Sequence, residues 1–235
     1  MSTVGFIGPP DWDDPSPAEY AALSGHDTLG TTLDATGFGW TLEEIAGFDG
    51  PMTDAAIDLV RDGADVIAIT GTPFGWAGVP VGSRPHDRNA RISAACGAPV
   101  VSAVSGVLDQ LEELGAHRLG LAATYYDEVW LHEWSALLER LGFCVDAAAS
   151  LVGAGVVEGP LSADDTKHWA PTPEMIEANI AAVSATPDGG AVDAVVVSGA
   201  GARTAACSEQ LRRAAGVPVV ASDTALYRAL DRLLG

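Results

Sequence analysis

The chain has 235 residues, 48% of them hydrophobic, with 32 acidic against 12 basic side chains and a formal net charge of −20. That supplies enough apolar material for a packed core and argues against a disordered chain, while the charge disfavours nucleic acid and anionic membrane as partners. No apolar run approaches the roughly 18–20 residues of a membrane span, and the N-terminus lacks the basic, apolar and cleavage segments of an export signal, so a cytoplasmic protein is expected.

Taken in chain order, Thr3–Gly8 reads as a strand that runs into the proline-rich loop Pro9 to Pro15. Residues 51–62 have helical spacing, with Ala55, Ala56, Leu59 and Val60 on one face, and Gly63 stops them. A strand follows at 66–70. Residues 71–85, rich in Gly and Pro, read as a long loop, made mobile by Gly71, Gly75 and Gly78 and able to act as a lid. A helix is expected over 87–95, a short strand within 97–101, and a helix over 104–114 ending at Gly115.

There the pattern restarts. Residues 118–124 read as a strand entering the loop Tyr125-Tyr126-Asp127, and 129–141 as a helix. Another strand begins within 142–145. Residues 153–172 are irregular. A helix over 173–184 carries Pro173 in its first turn. It is followed by a strand at 194–197, a helix at 208–215, a strand within 216–220 and a last helix at 224–234, which is expected to pack on the first half.

Three segments recur in order. Thr3–Gly8 is echoed at 118–124, Asp65–Thr72 at Asp193–Gly201, and Gly97–Val101 at Gly216–Val220. Three ordered echoes argue for duplication. Apolar strands alternating with helices make parallel βαβ units. The expected fold is therefore α/β: two pseudo-symmetric, doubly wound parallel-sheet lobes with the active site between them, at the carboxyl ends of the strands. Residues 1–114 with 216–235 are assigned to the first lobe and 115–215 to the second.

Cys96, Cys144 and Cys207 are odd in number and contain no CxxC, which disfavours a disulfide framework or a cysteine-rich zinc site. No nucleotide-binding glycine motif is present. Neither a bound nucleotide nor a cysteine-held metal is expected from these residues.

These motifs, in this order, resemble the aspartate/glutamate racemase superfamily, and within it the arylmalonate decarboxylase and maleate isomerase branch. The residues that carry the resemblance are Gly8-Pro9-Pro10, Gly71-Thr72, Leu121–Asp127, Ser198-Gly199-Ala200-Gly201 and Gly216–Ser222. The resemblance implies cofactor-independent proton chemistry beside a carboxylate, on a small organic acid or diacid, and a homodimer. Family members place a reactive thiol at one or both strand ends. In this chain those positions fall on Gly71 and Gly199, so neither expected thiol is present.

By the same resemblance, Thr72 and Tyr125 supply hydroxyls to a substrate carboxylate that gains enediolate character. Backbone amides near Gly199 and Ala200 assist. Pro10, Gly71, Pro73, Ser198 and Trp76 border the same place. Pro73 stands where the decarboxylase branch has a serine. With the thiols gone, another group must move protons. Asp11, Asp13 and Asp14 are candidates, since a carboxylate in a closed apolar pocket is tunable toward neutral pH. His86 is a further candidate, although Asp87 beside it also suits a helix cap; His168 is a weaker one. Arg203 suits a second substrate carboxylate. Trp12, Phe74 and Trp76 suit an apolar substrate group. Two other readings stay open: the same scaffold recruited to hydrolysis, dehydration or C–N cleavage through the loop Asp and His residues, and a non-catalytic small-acid binding protein.

Overall fold

The structure is a computed structural model that describes residues 2–34, 37–161, 165, 169–186, 188–199 and 201–235. The chain forms two compact units, Met1–Gly106 with Ala225–Gly235, and Val107–Thr224.

In the first unit, β1 (Thr3–Gly8), β2 (Asp27–Thr32), β3 (Val66–Ile69) and β4 (Val100–Ser102) make a parallel sheet in the order β2-β1-β3-β4. The central strands β1 and β3 are buried nearly end to end, as expected of strands covered on both faces. Helices α1 (Ser16–Ser24), α2 (Leu42–Ala46), α3 (Asp49–Arg61), α4 (Thr72–Trp76) and α5 (Pro85–Cys96) connect them, and α6 (Ala103–Leu114) leads out. In the second unit, β5 (Arg118–Ala123), β6 (Cys144–Ser150), β7 (Ala194–Ser198) and β8 (Val219–Ala221) repeat the pattern in the order β6-β5-β7-β8. Its helices are α7 (Glu128–Arg140), α8 (Pro173–Val183) and α9 (Ser208–Ala215), and α10 (Ser222–Leu234) closes the chain.

The three sequence echoes fall on equivalent strands: β1 with β5, β3 with β7, β4 with β8. The aspartate that opens the second echo has the same task in each copy. Asp65 accepts the amide of Thr3 at 2.9 Å, and Asp193 accepts those of His117 and Arg118 at 2.8 Å. Each carboxylate thus satisfies backbone donors where the neighbouring central strand begins, donors that strand pairing leaves open. Those backbone hydrogen bonds hold the Asp193 carboxyl below its ordinary range.

The unit boundaries differ from the expected lobes. Residues 216–224 belong to the second unit because β8 pairs with β7, with Val195 opposite Val219. From Ala225 onward α10 belongs to the first unit. There Tyr20 Oη donates to Asp231 at 2.8 Å and Tyr227 Oη donates to Glu19 at 2.6 Å.

The 71–85 segment is also different. Its first part is the short helix α4, and every residue from Gly71 to Ala77 is buried. Gly75 lies against Val104, where an added Cβ would stand 3.0 Å from Val104 Cγ1. This glycine permits close packing, and α4 is part of the interior instead of an exposed lid. Among the described residues, no helix is long and apolar enough to cross a membrane.

Candidate functional site

In the first unit the chemistry gathers where β1 and β3 end. Gly71 follows β3 with φ +72, in the left-handed region that favours glycine. An added Cβ there would meet Pro9 Cγ at 2.7 Å. Gly71 precedes the first turn of α4, in which Pro73 pre-sets the helical φ. Thr72 opens α4 and is only 1% exposed, and its Oγ1 has no hydrogen-bond partner among the described residues. Pro73, Phe74 and Trp76, next in sequence, are buried, as is Pro10 in the loop after β1. Phe74 makes edge-on contacts with Phe48 at 5.5 Å and Trp40 at 6.3 Å, giving the helix an aromatic backing.

The loop carboxylates divide. Asp14 is fixed: it accepts Thr70 Oγ1 at 2.5 Å and the Ser16 amide at 2.9 Å, bridging the end of β3 to the start of α1. Asp13 and Asp14 line a cavity of about 390 Å³ with Trp12, Gly8, Thr31 and Thr32. Asp11 and Asp13 are themselves exposed, so the closed apolar setting expected for them is not what the fold provides. Asp11 has φ +52, a turn conformation that Asp tolerates better than most residues. His86 is half-buried in the first turn of α5, and Asp87 accepts the Arg84 amide at 2.8 Å as a cap.

In the second unit the same corner lies at the ends of β5 and β7. Ser198 closes β7, and its Oγ donates to Tyr126 Oη at 3.1 Å, both side chains being buried. Tyr125 is buried as well and packs edge-on against Tyr126 and Trp130. Both rings lie at the β7 end: Tyr126 Oη meets Ser198, and Tyr125 Cε1 would stand 3.2 Å from a Cβ added at Gly199. Sequence reasoning named Tyr125 alone, and the signal for Tyr126 was the adjacent Tyr125-Tyr126 pair itself. Gly199 follows with φ +123, and an added Cβ would stand 2.0 Å from Thr124 Oγ1. Ala200 and His168 lie outside the described residues. Arg203 is half-buried beside Thr204.

Sequence reasoning missed the group that anchors this loop. Asp223, in the first turn of α10, accepts the Thr204 amide at 2.6 Å and Thr204 Oγ1 at 2.5 Å. In the Gly97/Gly216 echo, Asp223 takes the place of Val104, so a carboxylate here does what an apolar contact does in the first unit. Burial pushes the Asp223 carboxyl upward, although the Thr204 hydrogen bonds and the Arg203 charge pull it down. The folded state therefore binds this proton more tightly than the unfolded chain does. Stability should fall as pH rises from the ordinary value of 3.8 through the raised folded value. The expected slope is up to about 1.4 kcal/mol per pH unit inside that window. Urea titrations of wild type and Asp223→Asn across the window test this, and equal slopes in the two proteins would refute it.

The three cysteines are free: Cys144 is exposed, and Cys96 and Cys207 are half-buried. Burial, and then the Asp223 charge, push the Cys207 thiol upward, which disfavours the reactive thiolate. Among the described residues, no cluster of three or more His, Cys, Asp or Glu side chains is arranged to hold a metal ion.

Two four-stranded parallel sheets of identical strand order, each with hydroxyl and glycine residues at its strand ends, define a duplicated α/β protein of the racemase-like class. The chain belongs to the arylmalonate decarboxylase family, whose model matches residues 4–235. It is 28% identical over 240 residues to the arylmalonate decarboxylase of Bordetella bronchiseptica, covering 99% of this chain and 90% of that protein. The structure of unliganded arylmalonate decarboxylase superposes with a TM-score of 0.76 at 23% identity, covering 100% of this chain and 93% of that one. The maleate isomerase Iso from Pseudomonas putida S16 superposes with a TM-score of 0.73 at 17% identity, covering 99% and 92%. These likenesses put the chain in the branch that holds decarboxylases and isomerases.

Proposed function

We propose that this protein is a cofactor-independent enzyme that acts on a small carboxylic acid through an enediolate-like intermediate, as a decarboxylase or isomerase, without a thiol at either strand end. The observation that carries this reading is the Thr72 hydroxyl, 1% exposed and without an acceptor among the described residues. A buried donor left unpaired costs about 1–3 kcal/mol. Such a donor suits an acceptor that the chain itself does not supply, and a carboxylate oxygen is one. When a carboxylate is lost, or an α-proton leaves, negative charge builds on the remaining carboxylate oxygens. A fixed neutral donor aimed there stabilises the transition state more than the ground state. The second unit offers the Ser198–Tyr126 hydroxyl pair at its equivalent strand end. The relatives' names supply the first substrates to try, an arylmalonate and maleate.

The test is turnover of these acids by wild type and by Thr72→Val. Turnover should be present in the wild type and fall about 100-fold or more in the variant. No turnover, or unchanged turnover in Thr72→Val, would sink the reading. The absence of a strand-end thiol gives an independent check. Activity should survive iodoacetamide, because Cys96, Cys144 and Cys207 lie off the carboxyl ends of the strands. Rapid stoichiometric inactivation would place one of them in the chemistry.

A further inference from the structure

Helix α4 has five residues, too few to sustain itself, since helix nucleation is unfavourable and short helices depend on their surroundings. Its start is set by Gly71 and Pro73. Its other end is held by Arg88 of α5, a side chain only 3% exposed. Arg88 Nη1 donates to the Phe74 carbonyl at 2.9 Å and Nη2 to the Ala77 carbonyl at 2.7 Å. Its Nε lies 2.7 Å from Asp49 Oδ1, at the start of α3, and the other Asp49 oxygen takes Arg91 at 3.0 Å. One guanidinium thus ties α3, α4 and α5 together through all three of its nitrogens.

This is more than closing a helix end requires. Burying a charge costs several kcal/mol unless it is paired and hydrogen-bonded, and a neutral amide side chain would satisfy buried carbonyls without that cost. What the planar fork adds is direction: two carbonyls held at fixed angles prevent α4 from rotating about its axis. Anchoring of α5 does not need Arg88, because the adjacent Asn89 donates to Ser105 Oγ at 2.9 Å and Ser102 Oγ at 3.2 Å at the end of β4. The element whose orientation depends on Arg88 is α4, and the polar side chain at its other end is Thr72.

We propose that Arg88 is a positioning residue: by holding the Phe74 and Ala77 carbonyls against Asp49, it fixes the direction of the Thr72 hydroxyl toward substrate. This rests on the role given to Thr72 above. A donor displaced by about 1 Å from its working position can cost about 100-fold in rate. Lysine keeps the charge and loses the fork, so Arg88→Lys is the informative substitution.

The experiment compares wild type, Arg88→Lys, Thr72→Val and the double variant in the full chain, using an arylmalonate and maleate. Steady-state kinetics is combined with amide hydrogen exchange. Arg88→Lys should lower kcat about 10- to 100-fold with KM within about threefold. Exchange should quicken over residues 72–77 while other segments stay near wild type. In the Thr72→Val background, Arg88→Lys should lower kcat less than about threefold, because the group it positions is already gone. An equal loss of kcat in both backgrounds, or faster exchange throughout the first unit, would overturn the inference and leave Arg88 a structural residue. Unchanged kcat in Arg88→Lys, with Thr72→Val impaired, would overturn it alone. Unchanged turnover in Thr72→Val, or none in the wild type, would remove the functional reading and this inference with it.

Discussion

Replacing Gly199 with alanine is expected to lower the unfolding free energy by about 3 kcal/mol or more. Two penalties combine. At φ +123 the backbone lies where L side chains rarely sit, and holding one there costs about 1–3 kcal/mol. The added Cβ would also stand 2.0 Å from Thr124 Oγ1 and 3.2 Å from Tyr125 Cε1, and overpacking of this kind costs about another 1–3 kcal/mol. Thr124 cannot yield cheaply. It is 1% exposed, and its amide and hydroxyl both donate to the Ser198 carbonyl, at 2.9 and 3.4 Å.

Denaturant titration of Gly199→Ala, Thr124→Ala and the double variant separates the two penalties. In the Thr124→Ala background the cost of Gly199→Ala should shrink by about 1–2 kcal/mol, since the closest clash is gone while the backbone strain remains. A Gly199→Ala protein as stable as the wild type would show that the loop repacks freely. The consequence for function is direct. A cysteine at 199 meets the same obstacle as an alanine, so placing a thiol at this strand end is expected to carry the same cost in stability. The position is glycine because its neighbours occupy the space, and the same holds at Gly71 against Pro9.

What the sequence revealed follows from which signals are local. Central strands such as Val66–Ile69 and Ala194–Ser198 are apolar on both faces, so their composition announces them. The duplication was legible because those strands are also the ones that echo. β2, by contrast, is an edge strand reading Asp27-Thr28-Leu29-Gly30-Thr31-Thr32, exposed or half-exposed along its length. Only half an apolar pattern is needed there, and none stood out. α1 was missed for a related reason: its buried residues are Ser16 and Tyr20, hardly an apolar stripe. α4 contradicted its own composition, since Thr-Pro-Phe-Gly-Trp has the helix-breaking residues of a loop. It is helical because Arg88 and Val104 hold it, which is tertiary information. Thr72, Gly71, Ser198 and Gly199 were found because they sit at strand ends. Arg88 and Asp223 were not, because each reaches its loop from another element, 14 and 19 residues further along the chain. No spacing rule links Arg88 to Phe74, or Asp223 to Thr204.

Thr72→Val is expected to separate activity from stability more sharply than any other single change. Threonine and valine share β-branching and nearly the same shape, so the start of α4 keeps its backbone preference and its packing. The only group lost is a hydroxyl that is buried and has no partner among the described residues. Removing an unsatisfied buried hydroxyl relieves its desolvation penalty, so the unfolding free energy should be unchanged or rise by about 1 kcal/mol. Turnover should move the opposite way. Loss of one preorganised donor to a developing oxyanion costs about 2.7–4 kcal/mol of transition-state stabilisation, a fall of about 100- to 1,000-fold in kcat. KM should change much less, because a donor aimed at charge that develops during reaction contributes little to ground-state binding. The measurement pairs urea unfolding with steady-state kinetics on one preparation of the variant. If stability and turnover fall together, Thr72 is a packing residue, and its hydroxyl has an acceptor after all. If stability holds while kcat collapses, the hydroxyl has its partner in the transition state, and a buried donor that weakens the resting fold is what stabilises the charge formed during turnover.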